Sequence, residues 1–595
     1  MPSARSATHG PGRLRLLPVL AATLGALACG GGGGGAGAGG PPAGGGGGAA
    51  PARASFGPAA DAFYQRYLEL SPTFAVSLGF HQYDGKLPDV SAKALGERAA
   101  WLERERAAFE AFPAGQLDAQ AAIERDVVLN AIRSELFDLQ VARWPMVNPR
   151  YYIEALELTD YISRDYAPLA QRARGVIGIC NGAKAYLEAA QANLPEAMPR
   201  TWIDTALLQV NGMVDFAYKD VVEALATLDD SDLSTQVGEA LLAYAAALTG
   251  FRDYLTAHVA KATDDFALGG ERFARMLADK EGLSVDLARL AKVGEADLER
   301  NLAAIEKVAR QIDPRRPVAK VVERAAQDKP AAGKVLAEAT AQAGAMRKLI
   351  ADAGLVTIPS EDVAEPRPSP PFMRWNFAFL NAPGVFEEKA LPAFYYISPP
   401  DPKWPKKEQR DYIPARGDLL YTTVHEVWPG HFLHYLHRKR NPSRILRSFC
   451  TYSMVEGWAH YAEEMMHEAG ASGRDPALAI GQLTNALLRD VRFVSAIGLH
   501  TRGMAVDESM ALFEGKAFAD RPTARQQAVR GTFDPGYLNY TLGKLMIMKL
   551  REDWKARAGR EYSLKAFHDR LLSYGCAPLP VIRRAMLGPD AGPAL

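Results

Sequence analysis

Eleven histidines occur in this 595-residue chain, and six of them (His425, His431, His434, His437, His460 and His467) fall between positions 425 and 467. The densest stretch, Tyr421 to His437, reads YTTVHEVWPGHFLHYLH. A His followed at once by Glu, with a second His close behind, is the kernel of a zinc-dependent hydrolytic site: two imidazoles hold the ion and the carboxylate takes a proton from water. His425 and His431 are the candidate ligands, and Glu426 the candidate base.

The spacing is HExxxxH rather than HExxH. In an unbroken helix six residues give a rotation of roughly 240° and a rise of roughly 9 Å, too much for two nitrogens each ~2.0–2.1 Å from one zinc ion. Pro429 and Gly430 lie between the two histidines. Proline deletes the helical bond to the His425 carbonyl, and glycine permits close backbone approach. A kink or bulge at Trp428-Pro429-Gly430 that swings His431 back toward His425 is therefore expected.

Residues 451–468, TYSMVEGWAHYAEEMMHE, read as a second helix. Its Glu456, His460 and Glu463 share one face at i, i+4 and i+7. The first helix is expected to end near Asn441-Pro442 and the second to return beside it, so Glu456 can supply a third ligand and leave one position open. Glu463 or His460 would orient a ligand from behind. The surrounding Met454, Trp458, Ala459 and Tyr461 leave little polar surface, so the acidic stripe is expected to face a buried cleft, where charges need partners.

HEVWPGH followed by EGWAHYAE resembles the signatures of the bacterial family known as domain of unknown function 885. The resemblance extends to FYQRYLELSPTFAVSLGFHQYDGKLPDVS (63–91), GGERFARMLADKEGL (269–283), RDVRFVSAIGLHTRG (489–503) and DPGYLNYTLGKLMIMKLR (534–551). That family is similar to helical zinc metallopeptidases of the thimet oligopeptidase and angiotensin-converting-enzyme type. The resemblance implies one Zn²⁺ held by His425, His431 and Glu456, and a peptide substrate. It also implies a tyrosine that donates to the oxyanion, Tyr540 in NYTLGK with Tyr537 as alternative; a buried core tyrosine is the competing reading. Against the family pattern, Ala496 stands where Asp is expected, Phe432 and His434 where His and Gln are usual, and Tyr537 where Gln is usual. These departures touch substrate preference rather than the three ligands.

The elements that must position these residues are mostly helical. From 57 to 353, segments such as 118–139 carry apolar residues at three- and four-residue spacing, with breaks at Ser71-Pro72, Asn148-Pro149, Gly269-Gly270 and Asp313-Pro314. The expected fold is mainly α: one large helical domain from 54 to 595, in which 54–355 forms a wall, 356–595 carries the metal site, and a small β element lies beside the zinc. His81 and His258 in the wall are read as structural or solvated. The segment 356–414 is proline-rich with two strand-like runs, Arg374–Phe379 and Phe394–Ile397. Residues 393–398, with Phe394, Tyr395 and Tyr396, are the candidate edge for pairing with extended substrate; a small core sheet is the alternative.

Ahead of this body, Arg5, Arg13 and Arg15 precede the apolar run Leu16–Ala28 and Cys29. The run is too short to span a bilayer. It reads as a secretory signal over 1–29, with Cys29 resembling the lipidated residue of a bacterial lipoprotein; the Gly-rich stretch 30–53 is a tether. The expected location is an anchored lipoprotein facing the periplasm or cell surface. Net charge is zero and the charges are interspersed, so nothing suggests a nucleic-acid partner, and none is expected. Besides Cys29 there are Cys180, Cys450 and Cys576, one pair of which could bond. Two further functions stay open: a non-catalytic binding lipoprotein whose structural metal takes His460 or His434 as fourth ligand, and a metal hydrolase of a non-peptide amide or ester. Paired Glu-x-x-His repeats of a di-iron site are not found.

Overall fold

The computed structural model describes residues 55–370, 373–374 and 377–595. The leader, Cys29 and the Gly-rich tether lie outside the described residues. The chain is mainly helical, and its breaks fall where proline, glycine and capping residues dictate. Ser71 ends one helix and Pro72 opens the next; Asp313 ends the helix Leu287–Ile312. In the wall, α1 (Ala119–Leu136), α2 (Leu169–Asn193), α3 (Ser231–His258) and α4 (Leu287–Ile312) are the long elements. Asp118, Asp230 and Asp286 cap α1, α3 and α4 by accepting an N–H of the first turn.

The C-terminal half contains α5 (Arg416–Glu426), α6 (His431–Arg440), α7 (Tyr452–Glu468), α8 (Pro476–Thr501) and α9 (Asn539–Ala558). Helix α8 packs on both α4 and α5, and α7 runs along α9. Gly457 of α7 faces Gly543 of α9; a Cβ on either would strike the opposing backbone. The glycine of the EGW motif thus lets α7 lie close against α9. Buried apolar side chains from Phe56 to Ala594 form one contiguous cluster through both halves. The disulfide Cys450–Cys576 ties the start of α7 to the C-terminal segment, and Cys180 is free and buried. Closing a loop of 126 residues removes about 5 kcal/mol of unfolded-chain entropy in the loop-entropy model.

Three strands sit beside α5: β1 (Ala364–Pro368), β2 (Ala378–Asn381) and β3 (Ala393–Ile397), in the order β1-β3-β2. β1 is parallel and β2 antiparallel to β3. This corrects the expectation for residues 393–398: β3 is central, buried along its length and paired on both sides, so Phe394, Tyr395 and Tyr396 offer no free edge. Phe394 and Tyr396 pack with Phe379 and Met373 on one face. Tyr395 on the other face is hydrogen-bonded through its hydroxyl to Thr423 Oγ1 of α5 at 3.2 Å. The free edge beside α5 belongs to β2.

Candidate metal centre

The HE helix ends at Glu426 and a new helix starts at His431, so the expected kink is a complete break. Between them the Trp428–Pro429 peptide is cis. Gly430 N–H reaches back to the Val424 carbonyl at 2.9 Å, and a Cβ at Gly430 would collide with the His425 carbonyl. No residue with a side chain fits there. Trp458 of the EGW motif donates Nε1–H to the Pro429 carbonyl at 2.9 Å, fastening the break to α7. The two imidazoles come edge to face, with ring centroids 4.7 Å apart.

Glu456 arrives on α7. Its Oε2 lies 3.2 Å from His425 Nε2 and 3.5 Å from His431 Nε2. His425 Nδ1 is 2.7 Å from Glu463 Oε1 and 3.2 Å from Arg489 Nη2; in the tautomer in which it donates to Glu463, the Nε2 electron pair faces the Glu456 oxygen. That oxygen is buried and has no hydrogen-bond partner of acceptable geometry among the described residues. Two imidazole nitrogens and a carboxylate oxygen therefore converge at one buried point, an arrangement that a cation between them would satisfy. Bonds of ~2.0–2.2 Å in a tetrahedron put neighbouring ligand atoms about 3.3 Å apart, close to the separations found. The donor set, two imidazoles and a carboxylate, fits a single ion such as Zn²⁺.

The titration behaviour of the metal-free centre points the same way. Burial would depress the His425 pKa, but Glu456 and Glu463 outweigh it and raise it to about 9. Burial would raise the Glu456 carboxyl, but His431 and His425 hold it well below the usual carboxylate range. The site draws positive charge.

Glu463 is the residue behind the ligand. It also forms an ion pair with Arg489 at 3.0 Å, and against the effect of burial Arg489 and His425 hold its carboxyl far below the usual range. His460 stands farther back, 3.7 Å from Glu463, with both ring nitrogens unpartnered; burial and Lys544 push its pKa down to about 3. His434 contacts the Gly575 carbonyl through Nε2 at 3.0 Å, next to the disulfide, so it faces away from the centre.

Glu426 shares the centre: one ligand atom from each of His425, Glu426 and His431 lies within 4.8 Å of the others. Its Oε2 accepts Leu380 N–H from β2 at 2.9 Å, leaving Oε1 for other partners. Tyr540 stacks on His425 with centroids 6.3 Å apart, and burial followed by Glu456 raises its pKa, so it stays a donor at neutral pH. Tyr537 is fully buried elsewhere, its hydroxyl against Gly531 and near Ser495. The two tyrosines are thus separated in role by position. His81 is held by Asp84 and Glu387, each at 3.1 Å, away from the centre.

Sequence reasoning missed the Leu380 contact, the β2 edge and the Arg489–Glu463 pair; only the pattern of residues around 489 hinted at the last.

The model of a family described as a bacterial protein of unknown function, DUF885, matches residues 72–586. The chain belongs to that family. Among solved structures, a "putative lipoprotein of unknown function" from Shewanella oneidensis is similar at 23% identity and a TM-score of 0.76, covering 90% of this chain and all of its own. A "putative lipoprotein" from Colwellia psychrerythraea is similar at 18% identity and a TM-score of 0.73, covering 89% of this chain and 97% of its own. At these identities the likeness shows a shared fold. No curated protein matches. Among the described residues of this DUF885 protein, no helix is long and apolar enough to cross a membrane.

Proposed function

We propose that this DUF885 protein is a metal-dependent peptidase. The observation that carries the reading is the convergence of His425 Nε2, His431 Nε2 and Glu456 Oε2 at one buried point. Three protein donors leave a coordination position free, as catalytic rather than structural zinc sites do. When bound, the ion would supply Lewis acidity toward a carbonyl and acidify a water.

The remaining steps belong to the chain. Glu426, fixed by Leu380 N–H, takes the proton of the attacking water and passes it to the leaving amine. Tyr540 donates to the oxyanion that forms as the carbonyl is attacked. Extended substrate pairs with the free edge of β2, whose neighbour Glu426 then faces the scissile bond. Glu463 holds His425 in the tautomer that keeps Nε2 free.

Glu426→Gln is the test. The variant is expected to retain one zinc per chain and lose peptide hydrolysis; full hydrolysis by a zinc-loaded variant would overturn the reading. Lipidation at Cys29 belongs to the same proposal, supported by its sequence context and by the names of the similar structures. Cys29→Ala should release the protein from the membrane fraction.

A further inference from the structure

Beside the candidate metal centre, the ring of Tyr540 is surrounded by three guanidinium groups: Arg492, Arg489 and Arg530, at 4.8, 5.7 and 5.9 Å from its centroid. Two of the three are neutralised. Arg489 pairs with Glu463 at 3.0 Å, and Arg530 with Asp534 at 2.8 Å. Arg492 is only 3% exposed and makes one hydrogen bond among the described residues, from Nε to Gln527 Oε1 at 2.8 Å. No carboxylate among the described residues pairs with it. Burying a guanidinium without an anion is costly, and its planar fork matches a carboxylate through two parallel hydrogen bonds.

Its surroundings are short of acceptors as well. Gln527 is fully buried, and its Nε2 has no hydrogen-bond partner; the same holds for Arg489 Nε. Gln527 Nε2 and Arg489 Nε, with the rest of the Arg492 fork, are donors left without an acceptor among the described residues, a set that an oxygen anion would satisfy.

We infer that Arg492 anchors the C-terminal carboxylate of the substrate, with Gln527 beside it, so that the enzyme removes one or two residues from the C-terminus of a peptide. The inference rests on the peptidase reading and narrows its substrate class to peptides with a free terminal carboxylate. Distance sets the number of residues. The Arg492–Tyr540 and Tyr540–His425 separations, 4.8 and 6.3 Å, place the guanidinium no more than about 11 Å from the His425 ring centre. An extended residue spans ~3.3–3.6 Å, so one or two residues fit between the scissile carbonyl and the anchor.

The test is a randomised hexapeptide library made as free acids and as C-terminal amides, digested by the zinc-loaded full chain and read by mass spectrometry. Free acids should be shortened by one or two C-terminal residues at least about 30-fold faster than amides, the discrimination a charged hydrogen-bonded pair supplies. Arg492→Gln should collapse that ratio toward one, and Arg492→Lys should restore part of it. Internal cleavage of acids and amides alike would overturn the inference and leave the peptidase reading intact. So would cleavage that depends on an acidic side chain rather than on the terminus. If neither library is cleaved, the peptidase reading fails and binding decides the anchor. Zinc-loaded Glu426→Gln should bind acetyl-trialanine at least about 10-fold tighter than its amide, and equal affinities would overturn the inference.

Discussion

Two glutamates of α7, Glu464 and Glu456, end in opposite circumstances. Glu464 is met by Arg300 at 2.6 and 2.9 Å and by Lys544 at 3.3 Å, while Lys544 also binds Asp297 at 2.6 Å. Those anions are satisfied by cations of the chain itself. On the neighbouring face, Glu456 meets the Nε2 atoms of two imidazoles, and its Oε2 is left without a donor. Both clusters are buried and acidic, but one is closed by lysine and arginine, while at the other Glu456 faces imidazoles, which can exchange a proton for a metal ion. Acidity alone therefore does not mark a candidate metal site; the kind of partner does.

Removing one charge from each cluster should break this comparison open. Glu456→Gln should lower bound zinc from one per chain to under about a tenth and hydrolysis by about a thousandfold or more, because a ligand is lost rather than an outer partner. Elemental analysis and a peptide assay read both. Lys544→Met should do the reverse: denaturant unfolding should show a loss of about 3–5 kcal/mol, since Asp297 and Glu464 stay buried and unpaired, with zinc content unchanged.

A pH series sharpens the contrast. In the metal-free protein the His425 pKa is raised to about 9, above its unfolded value of ~6.5. Its stabilising contribution is fully present below about pH 6.5 and is lost as pH rises through about 9, on the order of 3 kcal/mol. In the zinc-loaded protein the ion replaces that proton, so thermal melts over the same range should lack this loss. Zinc affinity should rise with pH across it. The smallest effect is expected from Glu463→Gln, which keeps all three ligands and should weaken zinc about 10–100-fold.

Much of the centre was legible because its chemistry is local. The HE pair, the Pro429-Gly430 break and the Glu456/Glu463 spacing each sit within a few residues, where helical geometry leaves few options. The helical class followed from periodicity for the same reason. What escaped was pairing across the chain. Lys544 and Asp297 are 247 positions apart, and Cys450 and Cys576 are 126 apart, with nothing local to announce either bond. β1, reading AEPRP, looks unlike a strand, yet Pro366 and Pro368 alternate on the side turned away from β3, where an edge strand needs no N–H. That hidden edge makes β3 central and leaves β2 as the sheet edge beside α5.

The account turns on one cation at one point. A crystal structure of the zinc-loaded protein, with anomalous data at the zinc edge, tests it most directly. A single peak at ~2.0–2.2 Å from His425 Nε2, His431 Nε2 and a Glu456 oxygen, with Glu426 facing the remaining position, is the predicted result. A protein soaked in zinc with no peak there, or with the ion held by other residues, would contradict it.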